Sequence, residues 1–136
     1  MEVLQGKKIF YVEDDLKNRA ITQMILEQAG AAVRFERWGQ DDVLVRLKAF
    51  APVDLILLDL MFPRGVTGYQ IFDMIRQEPE FADTPIVAVS ASDPSIEIPR
   101  TQQKGFAGFI GKPIDIRLFP QQVADTLNGE QIWFAR

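Results

Sequence analysis

Strand-length apolar runs alternate with helix-period segments five times along the chain, and this alternation restricts the fold more than any other property of the sequence. Lys8-Ile9-Phe10-Tyr11-Val12 reads as a first strand. A helix over 16–29 follows, with Ile21, Met24, Ile25 and Gln28/Ala29 on one face, and Gly30 stops it. A short second strand is expected over 32–35 and a second helix over 41–50, through Val43, Leu44 and Leu47. Residues 54–58 form a continuous apolar strand, and its lack of a polar face predicts a parallel sheet covered by helices on both sides. A third helix over 68–77, a strand over 86–89, a fourth helix within 93–104, a strand over 107–110 and a last helix over 115–127 complete the pattern. The expected class is therefore α/β, a doubly wound layer with right-handed crossovers. Residues 1–128 read as one domain and 129–136 as a C-terminal tail.

Composition narrows the chemistry. With 15 basic against 19 acidic residues the net charge is −4, which argues against direct nucleic-acid binding. The chain has no histidine, so imidazole base catalysis and histidine-bound zinc are excluded, and it has no cysteine, so thiol catalysis is excluded too. No apolar run nears the roughly 20 residues of a membrane span, and Met1 to Lys8 carries no export-type apolar stretch. A cytoplasmic location is expected, with no membrane or nucleic-acid partner.

In a doubly wound sheet the working crevice lies beyond the carboxyl ends of the strands. Strand one ends in Glu13-Asp14-Asp15, strand three in Asp59, strand four in Ser90 and strand five in Lys112. Each has a plain alternative: Asp15 or Asp14 as a helix cap, Asp59 as a turn residue, Ser90 as a cap, Lys112 as a solvated lysine. Together they make a set that capping does not explain. Two carboxylates about 4 Å apart repel by about 4 kcal/mol at an effective dielectric of ~20. A hard divalent ion relieves that conflict, and magnesium takes one or two carboxylates together with phosphate oxygens and water. One carboxylate is then free to attack phosphorus, while the ion and a lysine spread charge over the transferred group.

The stretches Ile9-Phe10-Tyr11-Val12-Glu13-Asp14-Asp15, Asp54-Leu55-Ile56-Leu57-Leu58-Asp59-Leu60-Met61-Phe62-Pro63, Val89-Ser90-Ala91 and Gly111-Lys112-Pro113 resemble response-regulator receiver domains of two-component systems, over nearly the whole chain and in order. The resemblance implies a flavodoxin-like fold, five parallel strands in the order 2-1-3-4-5 flanked by five helices, of the stand-alone, single-domain type. It implies that Asp59 is the phosphoacceptor, that Glu13 and Asp14 are the acidic pair of a Mg2+ site completed by Asp59 and the Met61 backbone carbonyl, and that the Met61 side chain overhangs the acyl phosphate. Ser90 and Lys112 match the residues that engage the phosphate, and Phe109 matches the switch aromatic, which as a plain alternative is ordinary core. A histidine kinase or histidine phosphotransfer protein is the implied donor. Output is expected through protein docking on the face of helix four, strand five and helix five. The implied activity is that of a phosphoacceptor rather than an enzyme, with at most magnesium-dependent self-phosphorylation from small donors and self-dephosphorylation.

Two departures stand out. The loop from Asp59 to Gly68 is one residue longer than the family's usual run, and Arg64 within it is expected to face water. Pro94 suits a first helical turn, but Pro99 would break a hydrogen bond, so helix four is expected to be short and to begin near Pro99. The Ile132-Trp133-Phe134 cluster is expected to pack back on the domain, with a partner or homodimer contact as the alternative. An aspartyl phosphatase is disfavoured by Met61, where a second acid would stand. A flavin site is disfavoured by the acids after strand one, and a P-loop by Pro113 after the lysine. A receiver-like interaction module that is never phosphorylated remains the rival reading.

Overall fold

The computed structural model describes residues 2–38 and 42–135. Asp41, expected to open the second helix, and the chain ends Met1 and Arg136 lie outside the described residues. The elements run β1 (Lys8–Val12), α1 (Leu16–Gln28), β2 (Ala32–Glu36), α2 (Val43–Phe50), β3 (Leu55–Leu58), α3 (Gly68–Arg76), β4 (Ile86–Ser90), α4 (Pro94–Lys104), β5 (Gly108–Gly111), α5 (Phe119–Leu127) and β6 (Ile132–Phe134), with 3-10 turns at Pro63–Gly65 and Pro79–Phe81.

The sheet is parallel throughout, in the order β2-β1-β3-β4-β5-β6. Side chains on successive strand residues point to opposite faces, so the apolar strands feed two cores. Phe10, Val12, Ile56, Leu58, Ile86, Ala88 and Phe109 face α2, α3 and α4. Ile9, Tyr11, Leu55, Leu57, Val87, Val89 and Ile110 face α1 and α5. All four residues of β3 are buried, as the unbroken apolarity of that run predicts. Each such side chain taken out of water contributes about 1.5–3 kcal/mol, which holds the strand ends at fixed heights.

Helix starts follow their caps. Asp15 accepts from the Lys17 and Asn18 amides, Asp42 from those of Leu44 and Val45, and Thr67 forms a reciprocal capping box with Gln70. Asp15 is thus absorbed by α1, which leaves Glu13 and Asp14 for the crevice.

Four expectations change. The buried face of α1 is Thr22, Ile25 and Leu26, whereas Ile21 and Met24, expected on one face with Ile25, are exposed. α4 does not begin near Pro99 but runs 11 residues from Pro94, straight through Pro99. Asp93 caps it, Pro94 occupies a position that needs no donor, and the carbonyl that Pro99 leaves unpaired belongs to Ser95, an exposed residue that water can serve. α5 begins at Phe119 rather than 115, because the Asp115 carboxylate closes a separate turn onto the Arg117 and Leu118 amides, 3.0 and 3.3 Å away. The sheet has six strands instead of five, since the tail adds β6 beside β5 with Gly108 opposite Ile132, Phe109 opposite Trp133 and Ile110 opposite Phe134. Ile132 packs on the α1/α5 core and Trp133 on the other core, so the tail does fold back, as a strand.

Candidate functional site

The strand registers bring the expected residues to one rim. The Asp59 amide donates to the Val12 carbonyl at 3.2 Å, and the Lys112 amide donates to the Ser90 carbonyl at 2.9 Å. These bonds align the ends of β1 with β3 and of β4 with β5. From there the Lys112 side chain reaches back across the rim. Its Nζ lies 2.7 Å from Glu13 Oε2 and 2.9 Å from Asp59 Oδ2. The Lys112–Pro113 peptide is cis.

Asp59 is buried, and its Oδ1 accepts from the amides of Leu60 at 2.7 Å and Met61 at 3.3 Å. Burial raises its pKa above the ordinary carboxylate value, Lys112 opposes that shift, and Glu13 adds to it. The Lys112 pKa is raised as well: burial alone would lower it, but the charge of Asp59 and the bonds to Glu13 and Asp59 outweigh that.

Glu13 is 1% exposed. Its Oε1 accepts from the Asp15 amide at 3.0 Å, while Oε2 accepts from Lys112, from Asn18 Nδ2 at 2.8 Å and from the Tyr11 hydroxyl at 3.2 Å. Asn18 also donates to the Tyr11 oxygen at 3.0 Å. Burial, then Glu13 and Asp59, push the Tyr11 phenol well above its ordinary range, so it stays a donor. Tyr11 and Asn18 were not singled out by the sequence pattern. The available signal is spacing: Tyr11 precedes Glu13 by two strand residues on one face, and Asn18 stands on the first turn of α1.

Asp14 sits apart from this lysine-bridged pair. Its Oδ1 accepts from the Trp38 amide at 3.0 Å, and its Oδ2 has no partner among the described residues. Ser90 is buried at the end of β4, and its hydroxyl accepts from the Ser92 amide at 3.1 Å; among the described residues no hydrogen bond joins it to Asp59. Met61 is an exposed side chain two residues beyond Asp59, and Arg64 faces water as expected. Phe109 is fully buried.

The extra residue of the β3–α3 loop is taken up in a turn where Arg64 has φ 65° and Gly65 φ 74°. Gly68 therefore still lies against Asp59. A Cβ there would collide with the Asp59 carbonyl oxygen and come within 2.9 Å of Leu60 Cα.

Among the described residues, Asp14, Asp59 and Glu13 bring hard oxygen ligands to the rim, one of them an Asp14 oxygen with no partner there, and this chemistry suits a hard divalent cation. As they stand, no three acidic side chains among the described residues gather closely enough to form a finished ion cage. Lys112 supplies the countercharge to Glu13 and Asp59 instead.

Comparison with known proteins gives a consistent picture. A family model described as the response regulator receiver domain matches residues 9–124. The polar-differentiation response regulator DivK of Brucella ovis is 27% identical over 122 residues, covering 90% of this chain and 97% of that protein. The transcriptional regulatory protein CseB of Streptomyces avermitilis is 34% identical over 79% of this chain but only 43% of its own length. The two-component response regulator ARR3 of Arabidopsis thaliana is 32% identical over 72% of this chain and 36% of its length, so the chain spans less than half of these two relatives. Among solved structures, the chemotaxis response regulator CheY4 of Vibrio cholerae superposes with a TM-score of 0.77 at 21% identity, covering 88% of this chain and 98% of that one, a likeness of fold.

Proposed function

This chain belongs to the response regulator receiver domain family, and from that premise we propose that it is a phosphorylation-dependent switch whose acceptor is Asp59. The observation that carries the reading is the Lys112 ammonium held between Asp59 and Glu13 at the carboxyl ends of the strands. In the transfer, an Asp59 carboxylate oxygen forms a bond to phosphorus as the bond from phosphorus to the donor's imidazole nitrogen, or to the leaving oxygen of a small acyl phosphate, breaks. The product is a mixed anhydride, which water later cleaves to carboxylate and inorganic phosphate. Conversion of Asp59 to the anhydride removes one of the two charges that hold Lys112, leaving Nζ to pair with a phosphoryl oxygen. Ser90 lies one strand over and supplies a hydroxyl donor. Asp14 and Asp59, with the Met61 carbonyl and with Glu13 behind them, would hold a Mg2+ ion, whose charge offsets that of the transferred group. Tyr11 and Asn18 orient Glu13.

Because these 136 residues contain no histidine, a phosphohistidine donor lies outside them. Leu16 at the start of α1, Met61 after β3 and Ile116 after β5 expose apolar side chains, each within a few residues of an acid or the lysine of the rim, a natural footing for a protein donor such as a histidine kinase or a histidine phosphotransfer protein. Output by docking to a further protein completes the proposal.

Incubation with acetyl phosphate and Mg2+, followed by intact mass measurement, tests the reading. One phosphoryl group should appear on the wild-type chain, and none on Asp59→Asn or after chelation. Equal labelling of the Asn variant sinks the assignment. No labelling by acetyl phosphate or by any phosphohistidine donor favours the unphosphorylated interaction module.

A further inference from the structure

The edge of β5 is covered by the chain's own β6, and the cover touches the switch position. Phe109 is fully buried, and Trp133 stands beside it in register and packs on the same core cluster. Ile132, one residue earlier, seats on the opposite core. The approach is close: a Cβ on Gly108 would lie 2.6 Å from the Ile132 carbonyl oxygen, and its other near neighbours are also Ile132 backbone atoms. Glycine at 108 is thus what admits the strand. The strand is only three residues long and follows Gly129, which has φ 93° and open space around it.

Resting on the receiver reading, we infer that the β5 edge between α4 and α5 is a docking surface for an extended segment of alternating aliphatic and aromatic residues. β6 is its resident occupant, and phosphorylation at Asp59 loosens that occupant. When Ser90 turns from the Ser92 amide toward the phosphoryl group, the Phe109 ring moves into the vacated volume. Cores are close-packed, so Trp133 then loses the surface it rests on. A three-residue strand has little else to hold it. The freed edge pairs with an incoming strand through main-chain hydrogen bonds, and the two cores receive its alternate side chains.

The test uses the full chain with Trp38→Phe, which leaves Trp133 as the sole indole, and a fluorescein-labelled peptide of residues 129–135 as the trans strand. Beryllofluoride with Mg2+ serves as the phosphate mimic. Addition of the mimic should shift Trp133 emission to longer wavelength and tighten peptide binding about tenfold, within the usual range of site-to-site coupling. Failure of either readout in a chain that acetyl phosphate labels at Asp59 overturns this inference and leaves the receiver reading intact. Failure of labelling overturns both. Gly108→Ala should show the shifted Trp133 emission without the mimic and should bind no peptide in either state. Resting emission from that variant also overturns the inference. If the variant does not fold, the Trp38→Phe measurements decide alone.

Discussion

Lys112 Nζ lies 2.9 Å from Asp59 Oδ2 and shares its charge with Glu13 Oε2 at 2.7 Å, so a single ammonium bridges two buried acids of the rim and offsets only part of their charge. Lys112→Met fills similar volume but leaves both carboxylates without their cation. Loss of one member of a buried pair costs up to 3–5 kcal/mol, and partial exposure with proton uptake by Asp59 reduces this to about 2 kcal/mol. Urea unfolding at neutral pH measures it. Added Mg2+ should recover a large part of the loss, and an equal loss with and without Mg2+ would show that no ion enters the rim.

The raised pKa of Asp59 sets a pH dependence. The native state keeps a proton on this carboxyl above the ordinary 3.8, so between 3.8 and the raised value it binds more protons than the unfolded chain. Stability from this group is therefore complete below 3.8 and falls as pH rises through the folded value. Asp59→Asn should melt close to wild type at the acid end and progressively higher than wild type as pH increases. For Lys112 the stabilising contribution is complete below 10.5 and fades as pH climbs through its own raised value. Thermal melts of both chains across pH supply the comparison.

Gly68 and Gly65 separate space from backbone strain. Gly68→Ala drives a methyl group into the Asp59 backbone and should cost about 2–3 kcal/mol while slowing acetyl phosphate labelling. Gly65→Ala enters open space at φ 74°, so the backbone penalty of about 1 kcal/mol is its whole effect and labelling stays at the wild-type rate. Chemical denaturation and time-resolved intact mass check the pair.

Pro99→Ala restores the amide that α4 lacks at its exposed middle. A gain of about 1–2 kcal/mol is expected, less than the full helix penalty of proline because the unfolded chain also becomes freer. An unchanged midpoint would mean that Ser95 is as well served by water as by an amide.

The carboxyl ends of β1, β3, β4 and β5 were legible in the sequence because apolar strand runs stop abruptly at Glu13, Asp59, Ser90 and Lys112. The order of β1 to β5 followed from the resemblance of those stretches to receiver domains, and the structure bears it out. What escaped depends on contacts that exist only once the backbone is folded. β6 is a three-residue run whose pairing exists only because Gly108 lets another backbone approach. Tyr11 reads as plain core until Asn18 and Glu13 are seen to meet its hydroxyl. The hold of Asp14 on the Trp38 amide joins two loops 24 residues apart. Pro99 misled because local propensity forbids what a good cap, a solvent-facing carbonyl and buried Glu97 and Thr101 together allow.

The sixth strand also bears on solubility. A bare sheet margin is a template for cross-β growth, and Gly-Phe-Ile-Gly of β5, with no charge along it, would be such a margin. The far side, β2, carries Arg34 and Glu36, which blunt it. The short β6 gives the near side a boundary too brief to seed a fibril. Variants that shed residues 130–135 should therefore precipitate or self-associate on standing, and any state that bares this margin will persist in solution only while something else covers it.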